Sequence, residues 1–355
     1  MSLQTTWFIL ITVLWSGFFL LEGFDFGVGM LTPFVGRDLD ERRLLKGTTG
    51  PFWDGNEVWL IVAGGATFAA FPDWYATMFS AFYVPLILVL AALIVRATGT
   101  EYRDRRDSER WQTAWDWVIA VACLLAPLLL GIALGGLLGG VPIDSDMEFT
   151  GGFVDLVQPY ALVTGATFLA LSLLQGALFL RLRITDDLRA RAQRSARTIA
   201  VVAVVVLAVQ LVWTTVIEPG DTVIPGAWAW LAITFAVAAA LVAGEDRHEG
   251  WAFASSSAAV VFTMANLFAT LYPNTMVSAT STANNITVYD SSSPYTLRLM
   301  TIVAAVMVPV VLAYTAWNYW VYRQRIHPRT APTPTDDADA APPPAPASGL
   351  SAESH

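Results

Sequence analysis

Nine stretches of this chain are apolar over about the length a helix needs to cross a membrane, ~20 residues for a hydrocarbon core about 30 Å thick. They run near Trp7–Leu31, Phe52–Phe71, Met78–Val95, Trp115–Leu138, Val157–Leu180, Ile199–Ile217, Ala227–Ala243, Trp251–Tyr272 and Leu299–Tyr322. Lipid offers backbone polar groups no partners, so such a chain folds as helices or as a closed barrel. None of the nine shows the period-two alternation of barrel strands, which leaves helices. Composition agrees, with 55% apolar and 14% charged residues and a mean hydropathy of +0.54. The expected fold class is an all-α polytopic membrane protein with nine transmembrane helices. The first run does not read as a cleaved signal segment: it has no basic leader, is too long, and contains Glu22 and Asp25.

Charge orients the spans. Nineteen of the twenty Lys and Arg residues fall in alternate connections or just past the last run. Arg37, Arg42, Arg43 and Lys46 follow the first run, and Arg96, Arg103, Arg105, Arg106 and Arg110 the third. Arg181, Arg183, Arg189, Arg191, Arg194 and Arg197 follow the fifth, Arg247 the seventh, and Arg323, Arg325 and Arg329 the ninth; Arg298 alone is on the other side. The complementary connections carry Asp73, Asp144, Asp146, Glu148, Asp155, Glu218 and Asp221. Positive charge is retained inside, so the N-terminus is expected outside and the C-terminus in the cytoplasm. Residues 1–326 form the expected membrane domain. Residues 327–355, rich in Pro, Ala and Asp without apolar periodicity, are expected to be a disordered cytoplasmic tail. The connection Pro273–Leu297 reads as an irregular polar loop, and its Asn285-Ile286-Thr287 sequon as incidental.

Carboxylates inside apolar runs are the informative residues, since each costs roughly 2.5–3.5 kcal/mol at a helix centre. Glu22 and Asp25 lie three apart on one face of the first helix, and Asp54 and Glu57 three apart at the start of the second. A short connection joins the two helices, so both pairs belong to the cytoplasmic half and can meet across an antiparallel hairpin. Two readings stand for the second pair: a proton-handling group, or a capping box with Asp54 at the N-cap and Glu57 three residues on. No cap explains Glu22 and Asp25, and the glycines around them, Gly23, Gly27 and Gly29, point to close packing or local unwinding. Protonatable groups stepping inward from the cytoplasmic face form a route for proton uptake; pairing with basic residues of a neighbouring subunit is the other reading. Asp116, in Trp115–Trp117, is expected to snorkel at the inner edge of an aromatic belt, with a further proton role as the alternative. Gly131, Gly135 and Gly136 suit close helix packing.

The single cysteine, Cys123, excludes a disulfide framework and Cys-ligated metal. His248, His327 and His355 all lie outside the apolar runs, and helix methionines such as Met264, Met276, Met300 and Met307 usually serve packing. No haem or metal is therefore expected on this chain, and nothing in it suits nucleic acid.

Several blocks, in order, resemble subunit II of the bacterial cytochrome bd-type quinol oxidases. These are GFDFGVGML (Gly23–Leu31), GPFWDGNEVWLIVAGGATFAAFP (Gly50–Pro72), FSAFYVPLILVLAALIVR (Phe79–Arg96), RWQTAWDW (Arg110–Trp117) and VMVPVVLAYTAWNYW (Val306–Trp320). The resemblance implies two four-helix bundles plus one peripheral helix in a multi-pass protein of the bacterial plasma membrane. It implies pairing with a larger subunit I that carries haems b558, b595 and d and the quinol site, with small accessory subunits and a structural quinone as features of some members. The complex would reduce dioxygen to water with electrons from menaquinol or ubiquinol, taking protons from the cytoplasm and so building a proton-motive force. One Lys against nineteen Arg points to a GC-rich genome and hence menaquinol. The family's proton path at the subunit interface carries over to Asp25 and Asp54. It carries over less directly to Glu22, where the family often has Asp, and to Glu57, where Gln also occurs; Trp59 is expected to be structural. Two rival readings are a purely structural scaffold for the haem subunit and an independent proton-coupled transporter; the second lacks the repeats that class favours.

Overall fold

The computed structural model describes residues 2–217, 225–243 and 248–326. Glu218, Asp221, Arg247, Arg329 and the expected tail over residues 327–355 lie outside the described residues. In chain order the helices are α1 (Leu3–Leu21), α2 (Gly23–Val35), α3 (Leu39–Gly47), α4 (Trp53–Ala70), α5 (Pro72–Ala81), α6 (Tyr83–Tyr102) and α7 (Glu109–Gly139). They continue as α8 (Phe153–Leu156), α9 (Pro159–Arg183), α10 (Asp186–Ile217), α11 (Pro225–Val242), α12 (Glu249–Leu271) and α13 (Pro294–Val321). Among the described residues seven helical stretches are long and apolar enough to cross a membrane, with α1 and α2 counted as one. Two of the nine expected runs fall short. The start of α4 is diluted by Asp54, Gly55, Asn56 and Glu57, and the apolar part of α11, Gly226–Val242, is short. The expected run Met78–Val95 is broken at Phe82, between α5 and α6.

Small residues set the closest helix crossings. A Cβ on Gly27 of α2 would lie 2.1 Å from the Ser172 carbonyl and 2.7 Å from Cα of Gly176 on α9. On α7, Gly131 meets Gly165 and Gly135 meets Ala161 and Thr164, both on α9, while Gly136 meets the Phe82 ring, as the glycine pattern predicts. Backbones that approach this closely gain dispersion contacts that lipid-facing side chains do not supply. Trp59 fits the space that Gly17 leaves open across the α1–α4 contact, a structural role.

The alternate connections gather at two opposite ends. At one end, Arg43 meets Asp104, Arg191 meets Glu41, and Arg325 meets Glu249. At the other end the stretch expected to be an irregular loop is ordered. Strands β1 (Asn274–Met276) and β2 (Ile286–Thr287) pair antiparallel. The segment between them wraps the Ile143 carbonyl, which accepts from Ser278 Oγ at 3.0 Å, Asn284 Nδ2 at 2.9 Å and Thr280 Oγ1 at 2.5 Å. Polar side chains here satisfy buried backbone rather than water, which composition does not announce. Asn285 is engaged in the same cap, its Oδ1 accepting from the Ser278 amide at 2.8 Å.

α13 stands apart. It is tied near its start by Trp7, whose indole N–H reaches the Leu297 carbonyl at 3.0 Å, and near its end by Asn318, which donates to the Pro51 carbonyl at 3.0 Å. Between these ties Ile302, Val306 and Val310 are exposed.

Candidate functional site

The site forms where α1 gives way to α2. The helix is interrupted at Glu22, and the neighbouring Leu21 carbonyl accepts from the Asn56 side chain of α4 at 3.0 Å. A side chain inserted into a helical ladder is an ordinary cause of such a break. Glu22 itself keeps helical backbone and the span runs on to Val35, so Asp25 sits about one turn past the break.

Arg96 of α6 binds the two outer acids of the group. Its guanidinium forms an ion pair with Glu22, and its Nη2 lies 3.3 Å from Oε2 of Glu57. Its charge also sits over the rings of Phe26 and Trp53, at 5.0 and 5.5 Å from their centroids. Arg96 and Glu22 are buried and Glu57 is partly so. The sequence placed Arg96 in a basic connection; it lies instead inside a helix that continues to Tyr102, and it is the main partner of the expected acids.

Asp25 is held differently. Its Oδ2 accepts from Asn56 Nδ2 at 2.7 Å, and its carboxyl lies within hydrogen-bonding range of that of Glu22. The Tyr319 hydroxyl of α13 donates to Asn56 Oδ1 at 3.1 Å. A cavity of about 40 Å³ touches Asp25, Arg96 and Cys123 and reaches Lys46, Thr49 and Gly50 at the basic end. That is room for a water or two. Burial, reinforced by the nearby Arg103 charge, lowers the Lys46 ammonium to about 8.

Of the four acids expected along a proton route, three converge and one does not. Glu22 and Glu57 share Arg96, and Asp25 lies directly beside Glu22 and Arg96, whereas Asp54 is exposed on α4 beside Val58, Ile61 and Val62. The capping box is absent. Phe52 occupies the N-cap, no side chain caps α4, and Glu57 turns to Arg96. Asp116 does not snorkel. It is buried, with Oδ1 2.6 Å from Arg103 Nε and Oδ2 3.1 Å from Arg103 Nη2, and Arg42 at 3.6 Å.

Among the described residues no three His, Cys, Asp or Glu side chains converge on a metal-sized site, and the one described histidine, His248, is exposed at the start of α12.

Together these features define a multi-pass helical membrane protein with a buried acid–arginine group near its basic end. The chain matches the family of cytochrome bd terminal oxidase subunit II over residues 3–322, and it belongs to that family. It is 40% identical over 331 residues to the cytochrome bd ubiquinol oxidase subunit 2 of Bacillus subtilis, covering 92% of this chain and 97% of that one. It is 38% identical over 361 residues to the cytochrome bd-I ubiquinol oxidase subunit 2 of Escherichia coli K12, covering 91% and 95%. Its fold is similar to a chain of the bd oxidase from Geobacillus thermodenitrificans, with a TM-score of 0.74 and 16% identity over 90% of this chain and 99% of that one. At that identity the likeness speaks for the fold alone.

Proposed function

We propose that this chain is the haem-free subunit of a quinol-oxidising, oxygen-reducing complex and carries protons from the cytoplasmic face toward the haem subunit through Asp25. The complex as a whole oxidises quinol and reduces dioxygen to water, and protons drawn from the cytoplasm make that reaction electrogenic. The haems and the quinol site belong to the partner subunit I. The observation that carries the reading is the Asp25 carboxyl, buried beside Glu22 and Arg96 and lining a water-sized cavity that reaches Lys46 at the basic end. A buried acid with a wet path to one surface can exchange protons there; one sealed in apolar packing cannot.

Nine spans, arranged as two four-helix bundles with α13 peripheral, accommodate α4 and α11 alongside the seven clearly apolar stretches. The N-terminus outside and the C-terminus in the cytoplasm follow from the basic end holding Arg42, Arg43, Lys46 and Arg103. Asp54 belongs to this reading as a residue at the partner interface, since α4 carries it on an exposed apolar strip with Val58, Ile61 and Val62. For Glu22 and Glu57 the ion pairs to Arg96 support a structural part as well. Menaquinol or ubiquinol, accessory subunits and a structural quinone remain with the complex rather than with any feature described on this chain.

The test is Asp25→Asn in the assembled complex. Quinol-driven oxygen consumption should fall at least about tenfold, equal to about 1.4 kcal/mol of barrier, with the haem spectrum unchanged. Full turnover would leave the chain as a scaffold.

A further inference from the structure

We infer that Asn56 and Tyr319 are positioning residues for Asp25, so that the peripheral helix α13 fixes the orientation of that carboxyl beside the cavity. The inference rests on the proton-uptake reading of Asp25.

Asn56 has three polar partners, and together they fix its amide. Nδ2 donates to Asp25 Oδ2 at 2.7 Å and to the Leu21 carbonyl at 3.0 Å, while Oδ1 accepts from the Tyr319 hydroxyl at 3.1 Å. The opposite amide orientation would turn a carbonyl oxygen toward a carboxylate and a backbone carbonyl, two acceptors with nothing to donate. Oδ2 of Asp25 is committed to Asn56, the carboxyl also lies within hydrogen-bonding range of Glu22, and the cavity lined by Asp25 leads to Lys46. A carboxyl that exchanges protons through a single narrow passage needs its reactive oxygen held toward it.

Tyr319 is itself fixed. Its ring stacks on Phe52 at 4.6 Å with an interplanar angle of 22° and meets Phe24 edge-on at 6.3 Å. The neighbouring Asn318 donates to the Pro51 carbonyl, so the α13 backbone is tied to the body beside this hydroxyl. A helix whose middle is exposed thus reaches the buried acid through one phenol and one amide.

The test is Tyr319→Phe and, separately, Asn56→Ser in the assembled complex, with Asp25→Asn as reference. Tyr319→Phe removes one hydroxyl and keeps the ring stack, so the haem spectrum should match the parent. Quinol-driven oxygen consumption should fall about three- to tenfold, the range one hydrogen bond commands. The solvent isotope effect in D2O should rise, because proton delivery becomes slower; a merely structural change would not move it. Should Asn56→Ser fail to assemble, Tyr319→Phe carries the test alone. Parental turnover and isotope effect in Tyr319→Phe, beside a slow Asp25→Asn, would overturn the positioning role and leave the proton reading intact. Parental turnover in Asp25→Asn would overturn both.

Discussion

Arg103 grips both carboxylate oxygens of Asp116, at 2.6 and 3.1 Å, and neither side chain is exposed to solvent. The same guanidinium reaches the Leu39 carbonyl at 3.2 Å, so the pair ties α3 to the start of α7. Removing Asp116 leaves Arg103 with only the partly exposed Asp104 as its acid partner, so the cost should approach the about 3–5 kcal/mol typical of breaking a buried pair. Asp116→Ala should therefore lower the thermal midpoint of the purified complex sharply, or abolish its recovery from membranes. The double variant Arg103→Met/Asp116→Leu, which removes both charges, should restore much of the loss.

Lys46 ties that network to pH. Its ammonium is lowered from 10.5 to about 8, and the charged groups facing it are Arg103, Asp104, Asp116 and Arg43. Between pH 8 and 10.5 the unfolded chain binds this proton more readily than the folded one, so folding is helped as pH rises through that window and penalised in full below it. Lys46→Met should stabilise the complex at pH 7, by at most about 3 kcal/mol at about 1.4 kcal/mol per pKa unit before solvent screening. The gain should shrink toward pH 10. Thermal midpoints of parent and variant at both pH values check the sign.

The α2–α9 crossing has no room for a methyl group. At Gly27 an added Cβ meets backbone atoms of Ser172 and Gly176, which cannot turn aside as a side-chain end would. Gly27→Ala should cost about 1–3 kcal/mol through forced backbone shifts and reduce haem-loaded complex in membranes. Gly250, with nothing within 4 Å, takes Ala without such a clash. Its change should stay within about 0.5 kcal/mol.

The helical character of the apolar runs and the burial of Glu22 and Asp25 were legible because lipid allows few ways to write a helix and charges a high cost for an acid within one. What stayed hidden was pairing between distant segments. Arg96 read as a topology signal because an arginine at the end of an apolar run usually is one; only the continuation of α6 to Tyr102 brings it against Glu22 and Glu57. Asn56 and Tyr319 carry no charge and stand in aromatic-rich surroundings, so nothing local marks them as partners of Asp25. The Asp54 capping box failed because Phe52, buried among Phe24, Phe179 and Tyr319, starts α4 instead. The polar segment after α12 pairs as strands because buried carbonyls such as that of Ile143 need its donors, a demand set by the fold and not by the segment itself.

Asp54 offers the sharpest check on where the haem subunit docks. An acid in the first turn of α4 is favoured by the helix dipole, so its presence there needs no buried partner within the chain. Yet the strip that continues from it, Val58, Ile61 and Val62, is exposed, and partner contact would cover acid and strip together. A nitroxide placed by Asp54→Cys should be mobile on the isolated chain and become immobilised and shielded from lipid-soluble oxygen in the complex. Cys123 is buried and should give no competing label. A second label at Val205, on the exposed apolar strip of α10, shows whether the change is confined to the α4 face. Equal accessibility of position 54 with and without the haem subunit would place the interface elsewhere and remove Asp54 from the proton route, while Asp25 and its cavity would keep their part.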